Sequence, residues 1–168
     1  MNILYGPWFA KYMLTKKNIK DQTSRACVFC QKFLVQDLNS QEFILKKAKH
    51  ASIILNFYPY NPGHLLILPY QHVANLEDLS KEARMELMEL TNKSIIILES
   101  VLKVHGIHVG LNLGETSGSI PDHVHLHVVP RFDKDINFLV KNNLLKNRLI
   151  DLEKVYNDLK PAFQALEI

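Results

Sequence analysis

The stretch Asp122-His-Val-His-Leu-His-Val-Val-Pro-Arg131 decides which fold this chain can adopt. Its histidines alternate with valine and leucine, and an alternation with a period of two residues is typical of a β-strand. Because neighbouring side chains of a strand point to opposite faces, His123, His125 and His127 are predicted to share one face. The apolar side chains between them are predicted to face the core. Pro130 lacks an N–H group and is predicted to end the strand.

Three imidazoles on one face of a strand, each roughly 6–7 Å from the next, are suited to two kinds of chemistry. One is metal binding, because neutral imidazole is a common ligand. The other is attack on phosphorus by the central ring, with its neighbours donating hydrogen bonds to the phosphate oxygens. A face that is rich in histidine by chance is a weaker interpretation, since the chain has only eight histidines in total.

The pattern His-φ-His-φ-His-φ-φ, in which φ is hydrophobic, resembles the signature of the histidine triad (HIT) proteins, and residues 123–129 match every position. Proteins of this family are nucleotide hydrolases and nucleotidyl transferases. The resemblance implies that His125, the middle histidine, attacks the α-phosphate of a nucleotide. It also implies that His127 stabilises the phosphoryl oxygens and protonates the leaving group, and that His123 completes the catalytic set.

Composition limits the classes of protein to which the chain can belong. Its 168 residues suit one domain with a proper core, and its hydrophobic fraction of 47% is ordinary for a globular protein. The net charge of +3 could favour phosphorylated ligands but is far below that of a dedicated nucleic-acid binder. The sequence contains neither a long apolar run nor a signal-peptide pattern. We therefore expect a cytoplasmic protein that binds neither nucleic acid nor membranes.

Cys27 and Cys30 form a C-x-x-C pair and are the two cysteines of the chain. From the residues alone, the pair has three interpretations: half of a zinc site, a thioredoxin-like redox pair, or chance. Because the sequence has no second such pair, a zinc ion would need histidine or carboxylate as its other ligands. The family resemblance implies a structural zinc that is completed by His72 and by His123, the first histidine of the triad.

The rest of the chain predicts a mixture of strands and helices. Apolar runs predict strands over 43–45, 51–56, 64–69 and 107–113. Apolar residues at helical spacing predict one long helix over 76–104, with Ser80 as its N-cap. One or two amphipathic helices are predicted near the C-terminus, at 144–145 and over 149–163.

These elements predict an α+β domain with an antiparallel sheet of about five strands, one long helix and a C-terminal helix. We expect a single domain with an N-terminal arm over 1–26, a core over 27–138 and a helical tail over 139–168. The aromatic residues of the arm either pack on the core or stack on a nucleotide base. The resemblance implies the HIT-like fold, and a homodimer that forms through the helix and a sheet edge to give a ten-stranded sheet.

The resemblance also assigns nucleotide contacts outside the triad. The family has a ribose-contacting polar residue eight positions before the histidine of its Pro-Gly-His segment, and this spacing joins Asn56 to His64. His64 is equally well explained as a hydrogen-bonded core histidine. The family also has a ribose- or phosphate-contacting amide, which falls on Asn112. Arg131, at the end of the motif, completes this set of expected contacts.

The loop over 114–119 is rich in glycine and hydroxyl residues, which can present backbone N–H groups to an anion. The resemblance assigns Gly118 and Ser119 to phosphate binding. Ser119 departs from the commonest form of the family, which has glutamine there. Phe132 departs likewise, since it stands where tryptophan is frequent.

Taken over residues 5–138, the sequence resembles the bacterial diadenosine tetraphosphate phosphorylase branch of the family most. The resemblance therefore implies an enzyme that cleaves dinucleoside polyphosphates at the α-phosphate, through a nucleotidyl-histidine that passes to phosphate or water. Three alternatives remain open. They are a nucleotide-binding regulatory protein with little turnover, a purine nucleoside phosphoramidate hydrolase, and a purely structural zinc protein.

Overall fold

The computed structural model of the chain describes residues 27–34, 43–114, 123–133, 135 and 151–168. The aromatic residues of the expected N-terminal arm, and the expected phosphate contacts Gly118 and Ser119, lie outside these residues.

The described residues form three helices and five strands. In chain order they are α1 (Val28–Phe33), β1 (Ile44–Lys47), β2 (Ala51–Leu55), β3 (Leu65–Pro69), α2 (Lys81–Leu102), β4 (Gly106–Leu111), β5 (Leu126–Arg131) and α3 (Leu152–Gln164). The strands form one sheet in the order β1-β2-β3-β5-β4, and each neighbouring pair is antiparallel. The predicted α+β class and the antiparallel sheet of about five strands are therefore confirmed.

The two faces of the sheet are covered by different helices. One face packs against α2 and α3 to form the main core, which includes Val124, Leu126 and Val128 of the motif. The apolar side chains on the other face include Ile44, Ile54, Leu66 and Leu68, which pack against Phe29 and Phe33 of α1. Since Leu66 is opposite His127 in the β3–β5 register, the triad histidines belong to this second face.

The long helix α2 begins and ends where its capping residues dictate. Ser80 is its N-cap, as predicted, because its side-chain oxygen accepts a hydrogen bond of 3.1 Å from the backbone N–H of Ala83. Lys103 stops the helix in a left-handed conformation with φ of 52°. The helix is consequently shorter at both ends than the predicted 76–104. Among the described residues, neither this helix nor another has the length and apolarity needed to cross a bilayer.

The C-terminal helix α3 is part of the main core. Its buried side chains are Tyr156, Leu159 and Phe163. The Tyr156 hydroxyl donates a hydrogen bond of 3.0 Å to the carbonyl oxygen of Ile44, which ties α3 to the first strand. The predicted C-terminal helix is thus present, and the second predicted segment at 144–145 lies outside the described residues.

Two predictions of local structure were wrong. Strand β5 begins at Leu126 rather than at His123, and it continues through Pro130 to Arg131. Pro130 is tolerated because β3 begins at Leu65, opposite Val128, so β3 offers no strand partner beside the proline. The segment before β5 is instead held by a hydrogen bond of 2.7 Å from the Val124 N–H to the Val73 carbonyl oxygen.

Candidate functional site

The four predicted zinc ligands lie together at the start of α1 and the end of β3. One ligand atom from each of Cys27, Cys30, His72 and His123 falls within 4.8 Å of all the others. Cys27 is the N-cap of α1, and Cys30 follows it on the first turn of that helix. The short helix therefore presents both thiols to two histidines that are distant in the sequence.

The hydrogen bonds of His123 prepare it to bind a metal. Its Nε2–H donates a hydrogen bond of 2.8 Å to the carbonyl oxygen of Pro69, which leaves Nδ1 with a lone pair. This Nδ1 lies 3.6 Å from the Sγ atoms of both Cys27 and Cys30, and 3.3 Å from Nδ1 of His72. Burial lowers the pKa of His123 to about 4, so its ring is neutral, as a ligand must be.

The spacing of these atoms fits one tetrahedral zinc ion. With Zn–S of about 2.3 Å and Zn–N of about 2.0–2.1 Å, a sulfur and a nitrogen ligand lie about 3.6 Å apart and two nitrogen ligands about 3.3 Å apart. Cys30 Sγ and His72 Nδ1 are 3.4 Å apart, and the two histidine nitrogens are 3.3 Å apart. Four protein ligands leave no open position, which is typical of a structural ion.

The protein atoms alone disfavour the thiolate form of Cys30. Burial, followed by the proximity of Cys27, raises the pKa of Cys30 to about 11. A divalent cation would reverse this effect, because a thiol that coordinates zinc is deprotonated. The ligand set of Cys27, Cys30, His72 and His123 therefore fits the predicted structural zinc.

His125 has one nitrogen engaged and the other available for chemistry. Its Nδ1–H donates a hydrogen bond of 2.8 Å to the carbonyl oxygen of His123, which fixes the tautomer and leaves the lone pair on Nε2. Only 7% of the residue is exposed, and this burial lowers its pKa below the ordinary value. His125 is thus a neutral imidazole of fixed orientation, which is the form in which histidine is nucleophilic.

A chain of hydrogen bonds sets the tautomer of His127. The backbone N–H of Tyr60 donates a bond of 3.1 Å to Nδ1 of His64, so the proton of this neutral ring is on Nε2. His64 Nε2 then donates a bond of 3.0 Å to Nδ1 of His127. Burial, followed by the charges of the neighbouring histidines, holds the pKa of His64 well below its usual value and lowers that of His127 to about 3. Both rings are therefore neutral, and His127 has its proton on Nε2.

His127 Nε2 lies 3.2 Å from the side-chain Nδ2 of Asn112. With the proton of His127 on Nε2, both nitrogens are donors, so neither satisfies the other. The pair consequently offers N–H groups of both His127 and Asn112 to an anion that enters between them and His125.

The remaining predicted nucleotide contacts have different surroundings. Asn56 supports His64, since its Nδ2 donates a bond of 3.2 Å to the same Nδ1 that the Tyr60 N–H contacts. Arg131 lies at the end of β5, with its Nε 3.8 Å from a carboxylate oxygen of Asp135. His64 is fully buried and hydrogen-bonded to His127, in keeping with the core-histidine interpretation.

Two aromatic residues that the sequence did not single out contact the site. Phe29, inside the C-x-x-C pair, sets the edge of its ring against His123 and His125, with centroids 5.7 and 5.1 Å apart. Tyr60 stacks on His64 with centroids 4.8 Å apart. The only available signal for Phe29 was its position between the two cysteines, which gives no direction to its ring.

Comparisons with known proteins identify relatives of this chain. The family described as HIT domain matches residues 37–134. The chain is 38% identical over 138 residues to a protein named AP-4-A phosphorylase from Mycobacterium tuberculosis, a match that covers 81% of this chain and 71% of the relative. It is 30% identical over 117 residues to a bis(5'-adenosyl)-triphosphatase from Dictyostelium discoideum, covering 66% of this chain and 78% of the relative.

The fold has solved counterparts as well. A zinc-bound histidine triad family protein from Mycobacterium smegmatis superposes with a TM-score of 0.68 at 24% identity, over 84% of this chain and 96% of that structure. This likeness concerns the fold. The family match extends over more than half of the chain and includes the whole triad. On these grounds the chain belongs to the HIT domain family.

Proposed function

We propose that this protein is a nucleotidyl-transferring enzyme that cleaves dinucleoside polyphosphates at the α-phosphate, with His125 as the nucleophile. The observation that carries the proposal is the hydrogen bond from His125 Nδ1–H to the His123 carbonyl oxygen, since it leaves the Nε2 lone pair for attack. The choice of substrate is supported by the relatives, which are named AP-4-A phosphorylase and bis(5'-adenosyl)-triphosphatase.

In the first step, the Nε2 lone pair of His125 forms a bond to the α-phosphorus. The bond from that phosphorus to the bridging oxygen breaks, and its electron pair leaves with the rest of the polyphosphate chain. The N–H groups of His127 and Asn112 stabilise the phosphoryl oxygens as charge builds on them. His127 Nε2–H is also the proton source for the departing oxygen.

In the second step, an oxygen of phosphate or water attacks the nucleotidyl-histidine and the P–N bond breaks. The pair of electrons returns to Nε2 of His125, and the proton released by the attacking oxygen returns to Nε2 of His127, so the enzyme is restored. With diadenosine tetraphosphate as substrate, phosphate as the acceptor yields ADP and ATP, whereas water yields AMP and ATP.

The other assigned residues have binding and structural roles in this proposal. Asn56 contacts the ribose and holds His64 in place, while Gly118, Ser119 and Arg131 contact phosphate. A zinc ion held by Cys27, Cys30, His72 and His123 would anchor α1 against the triad. That ion would supply folding energy rather than take part in a reaction step.

We further propose that the protein acts as a homodimer. Strand β4 is an edge of the described sheet, and a second copy could pair with this edge. On α2, the described residues include the exposed apolar side chains Met85, Met88 and Ile96, which suit a contact between helices of two copies. Sedimentation analysis at micromolar concentration tests this part, and a strictly monomeric species would contradict it.

One incubation separates the proposed function from its rivals. The protein is mixed with diadenosine tetraphosphate, with and without inorganic phosphate, and the products are resolved by anion-exchange chromatography. Phosphate-dependent ADP with ATP indicates a phosphorylase, and AMP with ATP in both samples indicates a hydrolase. If the protein hydrolyses adenosine 5'-phosphoramidate but does not cleave diadenosine tetraphosphate, it is a phosphoramidate hydrolase. Tight binding of the nucleotide without turnover would overturn the enzymatic proposal in favour of a regulator. The His125→Asn variant is the control for contaminating activity.

A further inference from the structure

His108 lies on the triad face of the sheet, although the mechanism above gives it no role. In the β4–β5 register, Gly110 is opposite His127 and His108 is opposite Val129. Side chains opposite each other in an antiparallel pair share a face, and so do side chains two residues apart in a strand. His108, Gly110 and His127 therefore belong to one face.

The absence of a side chain at Gly110 lets the His108 ring lean toward His127. A Cβ atom built at Gly110 would lie 3.1 Å from Nε2 of His108, closer than an ordinary van der Waals contact. The imidazole thus occupies the space over Gly110, directly across from His127 in the register. A positive charge on His108 would act, after burial, to lower the pKa of both His64 and His127, in keeping with a ring that lies near them.

Exposure distinguishes His108 from the triad. His123, His125 and His127 are buried, whereas His108 is exposed to solvent. On its other side, Arg131 follows on the same face, opposite Gly106. The order across this part of the face is His127, His108 and Arg131, which leads from the buried site to the protein surface. If a ligand is bound at His125, its portion nearest the protein surface would lie beside His108 and Arg131.

We propose that His108 is a specificity-determining residue that donates a hydrogen bond to the phosphates beyond the α-phosphate, on the leaving group. This inference rests on the proposed function, since it needs a nucleotide with its α-phosphate at His125. An imidazole has at least one N–H donor in either protonation state, and phosphate oxygens are strong acceptors. His108 therefore favours substrates whose leaving group is a polyphosphate over those whose leaving group has no phosphate.

The kinetic test compares two substrates that share the adenylyl group. Diadenosine tetraphosphate loses a nucleoside triphosphate, whereas the 4-nitrophenyl ester of AMP loses a phenolate. His108→Ala should lower kcat/KM for the first substrate by roughly ten- to a hundredfold, the size expected from one hydrogen bond to a charged group. It should change kcat/KM for the ester by less than about twofold.

Two further variants serve as controls. His108→Gln, which keeps an N–H donor, should recover most of the loss. His50→Ala removes a histidine from the turn before β2, near the edge of the sheet opposite β4. It should leave kcat/KM unchanged for both substrates. Equal losses with both substrates, or no loss with either, would overturn the proposal.

Equilibrium binding keeps this inference separable from the proposed function. Titration calorimetry with AMP and with ATP is performed on the wild type, His108→Ala and His50→Ala. ATP should bind roughly tenfold or more weakly to His108→Ala, while AMP affinity should be unchanged. If the wild type binds nucleotides but turns over neither substrate, the proposed function fails and the ratio of ATP to AMP affinity still decides the role of His108. Binding of neither nucleotide by the wild type would contradict both proposals, and an unchanged ratio in His108→Ala would contradict this one alone.

Discussion

His64 Nε2 donates a hydrogen bond of 3.0 Å to Nδ1 of His127, and this bond has only one possible direction. The reason is that the backbone N–H of Tyr60 already donates to His64 Nδ1. A turn before β3 thereby determines which nitrogen of His127 has the proton. The proton on Nε2 then faces the side of the ring where Asn112 lies and where a phosphate would enter.

The role of His127 as a donor predicts a partial loss of activity on its removal. His127→Asn should lower kcat/KM for diadenosine tetraphosphate by roughly 10²–10³-fold, the size typical of losing one transition-state donor. His50→Asn, outside the site, is the matched control for replacing a histidine. Steady-state kinetics measures both, and activity of His127→Asn within about threefold of the wild type would refute the assignment.

Stability should depend on pH through the buried neutral histidines. In the folded protein the pKa of His127 is lowered to about 3 and that of His64 is also well below its usual value, whereas an unfolded chain has histidine pKa values near 6.5. Below about pH 6.5 the unfolded chain therefore binds more protons than the folded one. The free energy of unfolding should be highest above that pH and should fall as the pH is lowered toward about 3.

Urea denaturation at pH 7.5 and pH 5.5 measures this effect. The wild type should lose stability between the two values, and His127→Asn should lose less, because one of the depressed pKa values is gone. Any contribution from zinc ligands is common to both proteins and cancels in the comparison. An identical loss in the two proteins would show that His127 is not held neutral.

Loss of one thiol should release the metal and destabilise the fold. The zinc content should fall from about one ion per chain in the wild type to well below one in Cys30→Ser. The variant should also lose on the order of several kcal/mol of unfolding free energy, because a structural site contributes folding energy directly. Gln31→Ala, an exposed neighbour on α1, is the control. Metal analysis of protein purified without chelator, together with urea denaturation, decides the matter. A metal-free wild type with reduced thiols would rule out the zinc assignment.

His123 and His127 should respond differently to the same substitution. His123→Asn should lower zinc content and stability along with activity, because His123 Nδ1 lies among the thiols. His127→Asn should leave zinc content unchanged. Zinc content per chain, measured in both variants, checks this difference. Equal zinc content in the two variants would show that His123 is not a zinc ligand.

The sequence predicted those features that depend on local pattern. The alternation around His125 placed three histidines on one face, and Ser80 marked the start of α2, because periodicity and capping act over a few residues. Helix α1 was missed, since its six residues carry no capping side chain and are stabilised by packing against the sheet. Pro130 was misjudged because its tolerance depends on where β3 begins, which the sequence around Pro130 does not contain.

The assembly of the candidate site depended on longer-range information. Cys30 is separated from His72 by 42 residues and from His123 by 93, and only the family resemblance joined them in advance. The tautomers of His64 and His127 could not be predicted at all, because they follow from a backbone N–H that the fold brings to His64. Likewise, the position of His108 beside His127 follows from the β4–β5 register.

The central claim is that His125 forms a covalent bond to the α-phosphate. The most direct test is rapid quenching of the protein with diadenosine tetraphosphate at alkaline pH, where a phosphoramidate bond survives, followed by intact-mass and peptide mass spectrometry. We predict a population of wild-type chains that is heavier by one adenylyl group, located on His125, and no such population in His125→Asn. A wild type that turns over without this adduct at any quench time, or an equal adduct in His125→Asn, would contradict the account.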